Sequence, residues 1–175
     1  MNKAIFLDRD GVVNQVNIVD GKPYPPKDMS ELILLPKVNE ALQLLKDAGY
    51  LLIVITNQPD VVRGKAKIET VETINQFLKN SLPIDDIFTC YHDDIEDCNC
   101  RKPKPGHILK AADQYNINIS RSFMIGDRWR DIEAGISAGC ITFFIDYSYQ
   151  EKQPKSYNFK VKSLYEAAKI ILEIY

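Results

Sequence analysis

Short apolar runs, each cut off by acidic or polar residues, alternate along this chain with segments of helical period. Ala4-Ile5-Phe6-Leu7 runs straight into Asp8-Arg9-Asp10-Gly11, and Leu51 to Ile55 runs into Thr56-Asn57-Gln58-Pro59. Ile87-Phe88-Thr89, Ser122 to Ile125 before Gly126-Asp127, and Ile141 to Ile145 complete the strand set. Between them, apolar residues at 38, 41, 42, 44, 45 and 48 mark one helix face, with Pro36 placed to start the helix and Gly49 to close it. Positions 68, 71, 74, 77 and 78 mark a second helix, running from Ile68 to about Leu82. Further helices are predicted from Pro105 to about Tyr115, from Asp131 to Ala138 before Gly139, and from Ser163 to about Ile174, the last opened by a Ser163…Glu166 capping box. Fully apolar strands alternating with helices predict an α/β fold, a mainly parallel sheet covered on both faces. Such sheets bind ligands at the carboxyl ends of their strands. Gln15 to Ser30 and Asp146 to Tyr157 are the least regular stretches.

The length, 175 residues, suits one domain spanning 1–175, and no linker is long enough to divide it. With 45% hydrophobic and 26% charged residues the chain is neither disordered nor of low complexity. A net charge of −2 without a long basic block argues against nucleic acid as a partner. The longest apolar runs, Leu51 to Ile55 and Cys140 to Ile145, fall far short of the roughly 20 residues that span a bilayer. The first residues do not follow the plan of a secretory leader. A cytoplasmic monomer that engages neither membrane nor nucleic acid is the expectation.

Three of the four cysteines, Cys90, Cys98 and Cys100, fall within 11 residues together with His92. A secreted disulfide framework spreads its cysteines along the chain, whereas a tight Cys/His cluster reads as metal ligation. Three thiolates and one imidazole complete a tetrahedral shell with no open position, which makes a structural Zn²⁺ site of the loop 90–100. Binding would rigidify a loop of little apolar content and so fix the adjoining Arg101 and Lys102. The alternative is a reduced loop that merely contains cysteines. Cys140, alone after Gly139, reads as a small buried hydrophobe.

The strand ends carry the chemistry. Alternation puts Asp8 and Asp10 on one side of an extended backbone. Two acids so close call for a cation or a shared proton between them, and one can attack an electrophile while the other protonates a leaving group. A lone Asp-x-Asp is ordinarily a solvated turn, Thr56-Asn57 a satisfied one, the basic run Arg101-Lys102-Pro103-Lys104 a solvated loop, and Asp131 an ordinary first-turn acid. Together they describe one site: two acids, a hydroxyl, a cation and a distal acidic pair at Asp127 and Asp131. Carboxylate-rich sites suit Mg²⁺, which keeps its waters and binds substrate phosphate. Lys102 and the metal would neutralise charge on a transferred phosphoryl group.

Asp8-Arg9-Asp10-Gly11-Val12, Thr56-Asn57-Gln58, Arg101-Lys102-Pro103 and Gly126-Asp127 through Asp131, in this order, resemble the four motifs of the haloacid dehalogenase superfamily of phosphohydrolases. More narrowly the chain resembles the branch that holds the D-glycero-D-manno-heptose 1,7-bisphosphate phosphatases and the histidinol phosphatases, in which the phosphate-binding Lys directly follows a zinc-binding loop. The resemblance implies a Rossmann-like core without a large cap domain, since no insertion after either of the first two motifs is long enough for one. It implies that Asp8 is phosphorylated, that Asp10 protonates the leaving sugar oxygen and then activates water, and that Thr56 and Lys102 hold the phosphoryl oxygens. It assigns Mg²⁺ to Asp8, Asp127 and the backbone carbonyl of Asp10, with Asp131 in support, and substrate contacts to Asn57, Arg63, Arg101 and Arg128. The substrate it implies is a small phosphorylated sugar, a heptose 1,7-bisphosphate losing its 7-phosphate on the way to lipopolysaccharide, capsule or other surface polysaccharide. Histidinol phosphate is the neighbouring alternative, with Asp93, Asp94, Glu96 and Asp97 as acids for its cation. Two departures are local: a short spacer from His92 to Cys98, and Pro59-Asp60 where the bisphosphatases typically carry Ser-Gly. Two other classes share some of these residues, a phosphoacceptor signalling domain and a zinc-stabilised interaction module. In the first, the accepting Asp follows a later strand, whereas here Asp8 follows the first. Trp129 either flanks a sugar ring or packs at a helix start, and His107 is assigned no catalytic part.

Overall fold

The computed structural model describes residues 1–175. The chain opens with β1 (Ala4–Leu7), and a hairpin of β2 (Asn17–Val19) and β3 (Lys22–Tyr24) follows. Helix α1 (Val38–Asp47), β4 (Leu51–Asn57), α2 (Ile68–Ser81) and β5 (Asp86–Cys90) come next. The remainder is α3 (Gly106–Gln114), β6 (Phe123–Gly126), α4 (Trp129–Ala138), β7 (Ile141–Ile145), β8 (Phe159–Val161) and α5 (Leu164–Ile174). Six strands make one sheet in the order β5-β4-β1-β6-β7-β8, and every pairing in it is parallel.

The strands are buried on both sides because alternate residues feed two cores. Ile5, Leu7, Leu52, Val54, Phe123 and Ile125 face α1, α2 and α5. Ala4, Phe6, Ile53, Ile55 and Met124 face α3 and α4. The predicted layering is therefore observed, with the buried residues of α1 (Val38, Ala41, Leu42, Leu45) drawn from the predicted face. Gly49 closes that helix at φ +86. In α2 the predicted face is corrected: Ile68 and Phe77 are exposed, and Asn75 is buried instead. That amide is bonded, accepting from Arg9 and donating to Thr89, as a buried polar group must. The capping box of α5 is half as predicted. Glu166 N–H donates to Ser163 Oγ, while the Glu166 carboxylate accepts from Lys162 N–H, one residue before the cap. Cys140 is buried, and burial pushes its thiol up to about 12, so it is an inert apolar filler.

Sequence reading missed the β2–β3 hairpin, which lies in the first stretch without period, and the edge strand β8, which follows the second. The β2–β3 turn is Asp20-Gly21, both at positive φ (+49 and +72), the geometry that Asp-Gly favours in a two-residue hairpin. No helix is long and apolar enough to cross a membrane.

Candidate active site

Three neighbouring strands, β4, β1 and β6, end at the same edge of the sheet. Asp8 follows β1, Thr56 and Asn57 close β4, and Asp127 follows β6. Parallel pairing is what gathers them, since all three carboxyl ends point one way. The approach is close enough to require glycine. Gly11 has φ +92, and a Cβ there would stand 2.0 Å from Asp127 Oδ2. A Cβ on Gly126 would stand 2.1 Å from that of Asp131.

Lys102 arrives from the loop after β5 and is buried under this edge. Its Nζ lies 2.8 Å from Asp8 Oδ1 and 2.6 Å from Asp131 Oδ1, and donates to Ile55 O at 2.6 Å. Burial pulls its pKa down, but the Asp131 and Asp8 carboxylates outweigh that and hold it above the usual lysine range. Asp131 is oriented by its other oxygen, which accepts from Arg128 N–H at 2.9 Å.

Carboxylate oxygens of Asp8, Asp127 and Asp131 all lie within 4.8 Å of one another, and all three residues are buried. Burial, together with the Asp131 charge and against the pull of Lys102, raises Asp8 to about 6. Burial and the charges of Asp8 and Asp131 raise Asp127 well above the carboxylate range. One lysine thus faces three acids. Asp127 Oδ1 is buried without any hydrogen-bond partner, a group that a bound cation would satisfy. Hard carboxylate donors, a shortfall of positive charge and an orphaned oxygen fit Mg²⁺. The Asp10 side chain stands outside this group of three, leaving its backbone carbonyl as the expected ligand.

Asp10 faces the same cleft as Asp8. It accepts from Gln58 Nε2 at 2.7 Å and Asn14 Nδ2 at 2.9 Å, and from Arg9, whose guanidinium lies 3.1 Å away. Thr56 is buried beneath the cleft, its hydroxyl accepting from Gln58. Asn57 lines the cleft but spends its amide on Lys102, donating to its carbonyl and accepting from its N–H. Arg63 and Arg128 line the cleft, held by Asp93 and Glu151 respectively. Arg101 does not line it: its guanidinium is turned back to Asp94 and the carbonyl of His92. Asp94 also holds Arg130, which does line the cleft, as does Lys22 of the hairpin. Neither Lys22, Arg130 nor Gln58 was among the residues predicted to act. The positions of Gln58 beside Thr56 and of Arg130 beside Asp131 are the only signals the sequence offers for two of them; Lys22 needed the hairpin. Trp129 is covered by Lys152, 3.7 Å from its ring centre, and by its neighbour Arg130, which matches packing at a helix start.

The Cys/His loop forms a second centre. Sulfur–sulfur distances are 3.7 Å for Cys90–Cys98, 3.2 Å for Cys90–Cys100 and 3.4 Å for Cys98–Cys100. His92 Nδ1 lies 3.5 Å from Cys90 Sγ and 3.3 Å from Cys100 Sγ. A tetrahedral Zn²⁺ with bonds of about 2.3 Å separates its sulfurs by roughly 3.8 Å, so the four residues fit one ion. No two of the cysteines are joined in a disulfide. The loop meets the first centre at its end, where Cys100 precedes Arg101 and Lys102, and Gln58 N–H donates to Cys90 O at 2.7 Å.

This chain is similar over most of its length to proteins of one kind. It is 40% identical over 143 residues to a D-glycero-beta-D-manno-heptose-1,7-bisphosphate 7-phosphatase of Helicobacter pylori, covering 78% of this chain and 79% of the relative. It is 35% identical over 148 residues to a D-glycero-alpha-D-manno-heptose-1,7-bisphosphate 7-phosphatase of Campylobacter jejuni, covering 82% and 81%. Among solved structures, the D,D-heptose 1,7-bisphosphate phosphatase of B. bronchiseptica in complex with magnesium and phosphate superposes with a TM-score of 0.82 at 30% identity, covering 98% of each chain. A sequence profile described as haloacid dehalogenase-like hydrolase matches residues 25–139, between the first acids and the end of α4. Carrying that profile, these relatives and a lysine-bridged acid cluster at its strand ends, the chain belongs to the haloacid dehalogenase-like hydrolase family.

Proposed function

We propose that this chain is a Mg²⁺-dependent phosphatase that removes the 7-phosphate of a D-glycero-D-manno-heptose 1,7-bisphosphate for surface-polysaccharide synthesis. The observation that carries the reading is Lys102, buried and bridging Asp8 to Asp131 at the floor of a cleft that Asp10 also lines. That is a nucleophile, its charge partner and an acid facing one opening. The names of the relatives supply the substrate class.

In this reading an Asp8 oxygen forms a bond to phosphorus as the bond from phosphorus to the sugar oxygen breaks, and Asp10 gives that oxygen its proton. Asp10, now a carboxylate, takes a proton from water; the water oxygen attacks phosphorus and frees Asp8, releasing phosphate. Lys102 and Thr56 hold the phosphoryl oxygens. Mg²⁺, held by Asp8, Asp127 and the Asp10 carbonyl with Asp131 in support, would supply charge neutralisation of the phosphoryl group. Arg63 and Arg128 meet the rest of the substrate, Asn57 does so only through its outward face, and Arg101 acts from behind by fixing Asp94 and Arg130. Cys90, His92, Cys98 and Cys100 hold a structural Zn²⁺ that sets the approach of Lys102. The protein works as one domain, 1–175, monomeric and cytoplasmic, with a freely diffusing sugar as its partner.

Histidinol phosphate fits less well, because the acids near the cleft that would meet its cation are already paired. Asp93 binds Arg63, Asp94 binds Arg101 and Arg130, and Asp97 binds Lys104. Glu96 accepts from Asp93 N–H. Phosphate release from heptose 1,7-bisphosphates of both anomers, from histidinol phosphate and from simple phosphate esters tests the assignment. One equivalent of phosphate from a heptose bisphosphate, with Mg²⁺ required, is expected. Preferential turnover of histidinol phosphate, or activity indifferent to Mg²⁺, would overturn it.

A further inference from the structure

Three consecutive residues in the stretch after β7 reach three separate parts of the site. Tyr149 donates its hydroxyl to Asp127 Oδ2 at 2.8 Å, both groups being buried. Gln150 N–H donates to Gly21 O at 2.8 Å, tying the stretch to the turn of the β2–β3 hairpin. Its side chain lies so close that a Cβ on Gly21 would come within 2.6 Å of it. The Glu151 carboxylate holds the Arg128 guanidinium, with Nε 2.9 Å from Oε1.

Of these contacts the first bears on the metal. A buried carboxylate on a two-bond stem can turn about its own axis, and its oxygens differ only by what each one meets. Oδ2 of Asp127 meets Tyr149, whereas Oδ1 meets no donor at all and belongs to the side chain that joins Asp8 and Asp131 in the three-acid cluster. From this we infer that Tyr149 is the positioning residue of the metal site: its hydroxyl pins one oxygen of Asp127 and leaves the other free for the divalent cation. It touches neither substrate nor phosphorus, and acts through Asp127. The inference rests on the reading that Asp127 holds Mg²⁺. The same three residues fix the middle of a stretch with no period of its own, Tyr149 on Asp127, Gln150 on the hairpin and Glu151 on the arginine of the cleft.

Mn²⁺ binding to the substrate-free protein, followed by electron paramagnetic resonance, tests this directly. Tyr149→Phe keeps the ring and removes the donor, and is expected to weaken Mn²⁺ binding by about tenfold, the effect of losing a hydrogen bond to a charged group. The Mg²⁺ concentration for half-maximal turnover should rise by the same factor, with kcat at saturating Mg²⁺ little changed. Tyr147→Phe, one ring away, should bind Mn²⁺ as the unaltered protein does. A 3-fluorotyrosine at position 149 keeps the donor and the fold; it should retain the affinity, and its fluorine resonance should shift when Mg²⁺ is added. Unaltered Mn²⁺ affinity in Tyr149→Phe, or a fluorine resonance at 149 that ignores Mg²⁺, would overturn the inference. Absence of Mn²⁺ binding in the unaltered protein would instead sink the metal reading on which it rests.

Discussion

The acid cluster at the strand ends and the Cys/His loop hold four or five functional side chains each, yet they are built in opposite ways. Asp8, Thr56 and Asp127 are placed by β1, β4 and β6, whose backbones are locked into the sheet and whose apolar residues fill both cores. Protein contacts also orient the acids: Lys102 answers Asp8 and Asp131, Arg128 N–H holds the other oxygen of Asp131, and the Tyr149 hydroxyl holds Asp127. Cys90 closes β5, but His92, Cys98 and Cys100 stand on a loop whose only regular element is a single turn at Asp94–Glu96 with no buried residue. Ion pairs at Asp93, Asp94 and Asp97 tie its backbone down, but the loop has little apolar packing, and in the proposed function a Zn²⁺ would hold the four side chains at one point. The first centre is positioned by the fold and the second, in the proposed function, by a Zn²⁺, so they should fail differently.

The largest difference is expected in chemistry. Asp8→Asn keeps the shape of the proposed nucleophile and its place after β1 while removing its reactivity. Turnover should fall on the order of 10⁴-fold or more, as for other residues that act as a unit, with zinc content and thermal midpoint close to those of the unaltered protein. A folded Asp8→Asn protein that still turned over substrate would remove Asp8 from the role. Lys102→Ala breaks the same centre through its electrostatics. It strands Asp8 and Asp131 beside Asp127 without their buried cation, a change that costs about 3–5 kcal/mol where a buried pair loses one partner. Chemical denaturation in the absence of Mg²⁺ should show that loss, and Mg²⁺ should recover more stability in this variant than in the parent. Equal recovery in both would mean that Lys102 does not share the acids with a cation.

The loop is expected to fail locally. Cys98→Ala, or removal of zinc by a chelator, should raise hydrogen exchange through 90–102 while the amides of β1, β4 and β6 stay protected. Activity should fall about 10–100-fold, the range for losing support around a site rather than the site itself, through poorer placement of Lys102. Global unfolding on chelation would show that the loop carries the fold, and unchanged exchange would show that it needs no ion.

The same division governs what could be read from the sequence. Strands β1, β4, β5, β6 and β7 and the site residues at their ends were legible because apolar runs that end on acidic or polar residues have one economical explanation, a buried parallel sheet with its site at the carboxyl ends. The Cys/His cluster was legible from spacing alone, and the structure brings its four side chains together. What escaped was set by contacts between distant segments. Arg101 sits beside Lys102 in the chain, yet Asp94 draws it away from the cleft, and no local pattern encodes that choice. Asn75 is buried in α2 because Arg9, 66 positions away, needs an acceptor. Tyr149 and the hairpin lie in the two stretches without period, although Asp20-Gly21 was a usable turn signal. Ile68 and Phe77 matched the helical period and are exposed, since α2 presents a narrower face than its apolar residues span.

His107 offers the smallest and finest test, since it lies behind the loop and not in either centre. Its ring packs 5.7 Å from that of Phe88, two residues before Cys90, and its Nδ1 is buried with no partner. Burial, with the positive charges of Lys110 and Lys102 adding to it, lowers its pKa to about 4 from an ordinary 6.5. Above pH 6.5 the imidazole is neutral whether the chain is folded or not, and the group contributes nothing to the balance. As pH falls from 6.5 toward 4 the unfolded chain takes up a proton that the folded protein refuses, so stability is lost across that window and levels off below it. Because the ring is only half-buried, screening by solvent limits the loss to about 1 kcal/mol. His107→Phe removes the titration and the orphaned nitrogen while preserving the ring. Urea unfolding of the two proteins between pH 8 and 4 should therefore show a stability difference that is flat above about pH 6.5 and grows by about 1 kcal/mol in the variant's favour below it. Titration within the Cys/His cluster acts on both proteins alike and cancels in that difference, which isolates the helix behind the loop from the loop itself. A difference that does not change with pH would mean that His107 is solvated in the folded protein, and that the packing of α3 against Phe88 is looser than the geometry describes.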